Sequence, residues 1–197
     1  GGVKALMPGV STNEAIQENH SMMVRPEARA GSLEGNPVRE DIEEAGVICE
    51  IDYIVNVVLD THKQIIFATA GDPVKAHRAG CEYLDRFYKK SIQEKAPIVV
   101  TSQGGAPKDI DLYQTQKALY NAGQAVKDGG IVILMGSCIE GFGNETFKQW
   151  MLDTEPQDII DRIYKEFKLG GHKAAAIAMI RVRADIFLVS SMDDELV

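Results

Sequence analysis

The chain has 197 residues, with 29 Asp or Glu against 21 Lys or Arg and a formal net charge of −8. That length can enclose one sizeable core, and a composition of 45% hydrophobic and 25% charged residues is that of a globular protein. An acidic balance with no Lys/Arg cluster excludes a nucleic-acid surface, and no apolar run or signal-peptide pattern points to a membrane.

In chain order, Gly1-Gly2-Val3-Lys4 and Pro8-Gly9 form a glycine-rich opening. Ser11-Thr12-Asn13-Glu14 reads as a capping box, with the Ser11 hydroxyl taking the Glu14 amide, and starts a helix to about Met23. Ile16, His20 and Met23 share one stripe of that helix. Residues 25–35 read as loop, and Asn36-Pro37 starts an acidic helix to Gly46. Residues 49–59 are β-rich, and Asp60 to Lys63 turn them into a second strand, 64–70, predicting a hairpin. Asp72-Pro73 caps a helix to about Lys90, with Val74, His77, Cys81, Leu84 and Tyr88 as its apolar stripe.

From residue 97 the pattern alternates. Strand 97–102 precedes a helix from about Asp109 to Lys127, which Gly129-Gly130 ends, and then a strand 131–135. Helices at 144–151 and 156–167 and an Ala-rich helix after Gly170-Gly171 lead to a last strand, 186–189. Short continuous apolar strands between helices predict a buried parallel sheet with right-handed crossovers. The expected class is α/β, a mostly parallel sheet flanked by helices with one antiparallel hairpin, in a single domain over 1–197. The glycine-rich start and the acidic tail suggest a fragment of a larger protein. The three cysteines, Cys49, Cys81 and Cys138, are outside any CxxC pair. They read as free thiols of a cytoplasmic protein and not as a metal site.

A few residues carry possible chemistry. Lys4, in a loop open to close approach, is a nucleophile once deprotonated, although a solvated surface lysine is the plainer reading. His20 is either a packed core histidine or a metal ligand. Tyr113, Gln114 and Lys117 lie at i, i+1 and i+4, so all three can meet one ligand, and a lysine with an amide suits a carboxylate. Leu112, Thr115, Leu119, Ala122 and Val126 form the core stripe of that helix, which leaves Gln114 and Lys117 on a solvated face unless another domain covers them. His77 reads as structural, Asp72 as an N-cap, His62 as a solvated turn residue and His172 as a helix-start residue. Gly104-Gly105 and 136–143 each follow a strand and precede a helix, where free amides can meet a phosphate, but neither fits GxGxxG or the P-loop.

Four stretches, GGVKALMPGVSTNEAIQENHS, FATAGDPVKAHRAGC, VVTSQGGAPKDIDLYQTQKAL and VILMGSCIEGFGNETFKQW, occur in an order that resembles the C-terminal half of the nickel-dependent lactate racemase family. The resemblance spans residue 1 to about 150 and includes the sixteen-residue step from Lys4 to His20. It implies a nickel pincer nucleotide, the nickel form of a pyridinium-3,5-bisthiocarboxylate mononucleotide, joined to Lys4 as a thioamide, with His20 as nickel ligand. Soft sulfur donors with an imidazole suit square-planar nickel(II).

The resemblance further implies that Gln114 and Lys117 hold the carboxylate of a small 2-hydroxy acid, with Tyr113 beside them. The reaction it implies is a proton-coupled hydride transfer through a 2-keto acid. The family's general-base histidines lie upstream of the attachment lysine, so no catalytic base is expected in this chain. It is expected to be inactive alone, to lack the cofactor when made alone, and to need an N-terminal domain as partner. The Gln114/Lys117 face is then expected to line an interdomain cleft. Rival readings are an epimerase of another 2-hydroxy acid, a non-catalytic nucleotide- or anion-binding domain, and a Schiff-base enzyme using Lys4.

Overall fold

A computed structural model describes residues 1–152 and 154–193. The chain divides into two compact units, Gly1–Ser91 and Ile92–Val197. Among the described residues no helix is long and apolar enough to cross a membrane.

The first unit opens with a 3-10 turn, Gly2–Ala5, followed by α1 (Asn13–Ser21), a 3-10 turn (Met22–Val24), α2 (Pro37–Ile48), β1 (Ile54–Leu59), β2 (Ile65–Gly71) and α3 (Pro73–Tyr88). The expected caps Asn36 and Asp72 form: Asn36 accepts from the Arg39 amide, and Asp72 from the Val74 and Lys75 amides. The capping residue of α1 is Thr12, not Ser11. The Thr12 hydroxyl accepts from the Ala15 amide at 3.3 Å, while the Ser11 hydroxyl donates to the Leu6 carbonyl at 2.9 Å and closes the preceding turn.

The hairpin forms as expected, β1 and β2 pairing antiparallel with Val55 opposite Ala70. Asp60 shapes its turn by accepting from the His62 and Gln64 amides. The stripe expected on α3 is buried only at its middle. His77 is buried, but Val74, Leu84 and Tyr88 are exposed. The contact face runs instead through Ala76, Gly80 and Tyr83, whose ring stacks on Phe67 at 4.2 Å. Alanine and glycine let the helix approach the strands closely, a reason that hydrophobic periodicity does not register.

The second unit contains β3 (Ala96–Ser102), α4 (Leu112–Thr115), α5 (Lys117–Ala125), β4 (Val126–Met135), α6 (Glu145–Leu152), α7 (Pro156–Lys165), α8 (Gly171–Arg181) and β5 (Ala184–Val189). The sheet order is β3-β4-β5, all parallel, so the α/β class with one antiparallel hairpin holds. Val132 and Leu134 face the helices and are fully buried. Ile98, Val100, Met135, Phe187 and Val189, on the opposite side, are each about half exposed.

The single helix expected at 109–127 is shorter and in two pieces. The Asp109 and Ile110 carbonyls accept from the Cys138 and Glu140 amides outside any helix, so Asp111 becomes the cap. Val126 already pairs with Ala96, and Gly129-Gly130 lie within β4 and do not end a helix. The core stripe Leu112, Thr115, Leu119, Ala122 and Val126 is buried throughout, as its spacing requires.

Candidate functional site

In the first unit, one helix positions both Lys4 and His20. Val3 and Met7, flanking Lys4, are buried against Ile42 of α2. Gly46 of α2 lets this segment sit close, since a Cβ there would lie 2.9 Å from Val3 Cγ1. The Lys4 carbonyl accepts from the Gly9 amide at 3.2 Å, which fixes its backbone, while its side chain is exposed.

His20 is half-buried in the last turn of α1. Its expected stripe is rotated: Met23 is exposed, and the fully buried position is Asn19. The Asn19 amide donates to the Val38 carbonyl at 3.1 Å and to the Asp41 carboxylate at 2.8 Å, which locks α1 onto α2. Nothing in apolar periodicity marks a buried asparagine, because its burial is justified by partners nineteen and twenty-two residues away. Asn19→Ala is expected to cost about 2 kcal/mol, since it removes two hydrogen bonds made by a fully buried side chain to partly buried acceptors. Urea unfolding measures it.

Tyr113, Gln114 and Lys117 sit on a tightly clamped turn of the second unit. The Asp111 carboxylate caps it, accepting from the Gln114 amide at 2.7 Å. The loop 136–143 braces it: the Leu112 amide donates to Gly141 and the Tyr113 amide to Phe142, while the Ser137 amide donates to the Asp109 carboxylate. These bonds engage the loop's Ser137, Cys138 and Glu140 amides with protein acceptors, so they are not a phosphate cradle. Lys117 Nζ donates to Gln114 Oε1 at 2.5 Å. Lys117 is exposed, and Gln114 and Tyr113 are half-buried. Burial, and then the Asp111 charge, push the Tyr113 phenol above its ordinary pKa.

Lys173 was not legible as a site residue. Gly171, at the start of α8, packs flush on Trp150, where a Cβ would meet ring atoms at 2.8 Å. This seats the first turn of α8 beside Tyr113. The His172 ring lies 6.4 Å from the Tyr113 ring, edge on, and Lys173 Nζ is 5.5 Å from the Tyr113 centroid. The signal in the sequence is a lysine in the first turn of an Ala-rich helix, where the helix dipole disfavours a cation.

Burial, and then the Lys117 charge, push Lys173 down to about 8. Between about 8 and the ordinary lysine value of 10.5 the unfolded chain binds more protons than the folded one, so stability rises with pH across that window. Lys173→Met is therefore expected to stabilise the chain at pH 7 by about 1–2 kcal/mol, with the advantage shrinking as pH climbs through the window. Parallel urea melts of the two proteins against pH check this.

The remaining histidines fit their structural readings. His77 is buried, 3.4 Å from the Cys81 sulfur, and burial followed by the Arg39 charge holds it neutral with a pKa of about 4. His62 is exposed in the hairpin turn, and His172 Nδ1 accepts from the Gly170 amide. A cavity of about 190 Å³ beside Val3, Gly46 and Asp72 includes none of the expected site residues. Among the described residues no cluster of three or more His, Cys, Asp or Glu side chains could hold a metal by itself.

Residues 91–195 match the family described as lactate racemase C-terminal domain. The chain belongs to the lactate racemase family. It is 37% identical over 166 residues to the lactate racemase of Thermoanaerobacterium thermosaccharolyticum, covering 83% of this chain and 39% of that protein. It is 30% identical over 201 residues to the lactate racemase of Lactiplantibacillus plantarum, covering 98% and 47%. The structure of the lactate racemase apoprotein from T. thermosaccharolyticum superposes with a TM-score of 0.92 at 34% identity, over 99% of this chain and 48% of that one. A Thermotoga maritima protein shares the fold, with a TM-score of 0.75 at 17% identity over 100% of this chain and 54% of that one. The chain thus spans about half the length, or less, of the lactate racemases it matches.

Proposed function

We propose that this chain is the cofactor-anchoring and substrate-binding half of a 2-hydroxy-acid racemase that carries a nickel pincer nucleotide. The observation that carries the reading is the rigid turn bearing Gln114 and Lys117, in a chain of the lactate racemase family. Its exposed lysine and half-buried amide, held by a cap and a bracing loop, suit a carboxylate, which only accepts hydrogen bonds.

The residues present fit the cofactor. The Lys4 amine is exposed and its backbone is pinned, as a covalent anchor requires. His20 offers a single imidazole, and among the described residues no cluster of three or more His, Cys, Asp or Glu could complete a metal site, so a metal there would need most of its donors from the cofactor itself. When bound, the cofactor would supply a hydride acceptor and donor. Lys4 would tether it and His20 would hold its metal. Gln114 and Lys117 would fix the substrate carboxylate and so orient the C2–H bond, with Tyr113 as an apolar wall. The proton on the substrate hydroxyl would be moved by groups of the remaining half of the protein.

The outward apolar side of the β3-β4-β5 sheet supports such a partner, since parallel sheets are ordinarily covered on both faces. Three free thiols suit a reducing cytoplasm.

The test is made on the whole protein, purified from cells that produce the cofactor. The expected result is bound nickel, a covalent mass adduct on Lys4 and interconversion of the lactate enantiomers. A clean unmodified mass without nickel would favour an anion-binding domain. Borohydride trapping of a carbonyl substrate on Lys4 would favour the Schiff-base reading.

A further inference from the structure

Beside the Gln114/Lys117 turn lies a second cation that neither the family roles nor the sequence pattern assigned. The Lys173 ammonium is placed over the Tyr113 ring, 5.5 Å from its centroid. Tyr113 adjoins Gln114 and stands one helical turn from Lys117. Among the described residues no carboxylate pairs with Lys173. Its position in the first turn of α8 adds a positive helix end to its own charge. A largely buried ammonium with a like charge as neighbour and no counter-ion is costly, and it is the arrangement an anion relieves.

The donors here are matched to one kind of ligand. Lys117 occupies the Gln114 carbonyl oxygen, which leaves the Gln114 amide NH₂, the other Lys117 protons and the Lys173 ammonium as donors. The cluster offers a ligand donors and hardly any acceptor. A carboxylate, with two charged oxygens that only accept, complements it better than a neutral alcohol or amide, which brings a donor of its own and no charge.

We infer that Lys173 is a positioning residue of the substrate site, contacting from the α8 side the same carboxylate that Gln114 and Lys117 hold from the α4–α5 side. Two lysines on one carboxylate confine it from two directions, and the Tyr113 ring floors the space between them. This inference rests on the proposed reading of Gln114 and Lys117 as the carboxylate grip.

The experiment uses the 197-residue chain with lysine side chains labelled at Cε, titrated with sodium L-lactate and, separately, with inorganic phosphate, and followed by NMR. Lactate is expected to move the Lys173 and Lys117 signals together and to raise the Lys173 pKa from about 8 toward the ordinary lysine value. Lys173→Gln is expected to weaken lactate binding about 10–100-fold, the loss of one charge-assisted contact. Combined with Lys117→Gln, the two losses are expected to be less than additive, because both lysines meet one anion.

If lactate moves Lys117 but leaves Lys173 unchanged, and Lys173→Gln binds it as tightly as the unmodified chain does, the inference falls while the carboxylate grip stands. If phosphate moves Lys173 and lactate moves neither lysine, the inference and the 2-hydroxy-acid reading both fall. If neither anion moves Lys173, the inference is overturned. Should Lys173→Gln fail to fold, the signals of the unmodified chain decide alone.

Discussion

Lys4→Ala in the whole protein, purified from cells that produce the cofactor, is expected to remove the covalent adduct, the bound nickel and the racemase activity together. Lys4 is exposed, so the loss is not one of folding: exposed substitutions of this kind change stability by about 0.5 kcal/mol or less. The anchoring contacts belong to Val3 and Met7, which the substitution leaves in place. His20→Ala separates the two roles. It is expected to keep the Lys4 adduct in the intact mass while nickel, measured by plasma emission, drops severalfold or more. If Lys4→Ala keeps full activity, Lys4 is not the anchor. If His20→Ala retains full nickel, the imidazole is not a ligand and the α1 helix has no metal role.

Gly143→Ala is expected to cost about 3 kcal/mol, one of the largest single effects available in the second unit. Two costs combine. Gly143 has φ +73°, where an alanine side chain is strained. A Cβ would also be driven into Asp111, 2.6 Å from Oδ2 and 2.7 Å from Cβ. Asp111 is the cap that holds the Gln114 amide, so its displacement also loosens the turn carrying Gln114 and Lys117. Urea unfolding followed by the fluorescence of Trp150, the single tryptophan, reads the stability. Lactate binding measured on the still-folded variant at low temperature reads the loosened grip, with a weakened affinity expected.

This pair of variants separates what was legible from what was not. Caps such as Asn36 and Asp72, the hairpin turn at Asp60 and the alternation of strands and helices after residue 97 depend on contacts between residues two to five apart, so local chemistry announces them. Lys4, His20, Gln114 and Lys117 stand out through the resemblance that the four stretches carry, and not through local chemistry. Where two local solutions competed, local chemistry could not choose. Ser11 and Thr12 are both good caps, and the Leu6 carbonyl took Ser11 for the preceding turn.

The sequence by itself determined the α/β class, the parallel sheet with its antiparallel hairpin, the buried stripe through Leu112 and Val126, and the family. Tertiary structure alone decided which residues hold the site in place. Asn19 became a buried lock because α2 offers it two acceptors. Gly46 and Gly143 matter because Val3 and Asp111 arrive where their side chains would be. Lys173 lies over the Tyr113 ring because packing of Gly171 on Trp150 brings the start of α8 to Tyr113, sixty residues earlier in the chain. Each of these depends on close packing between distant segments, and a pattern read along the chain carries periodicity and local hydrogen bonding but not the distances across a core.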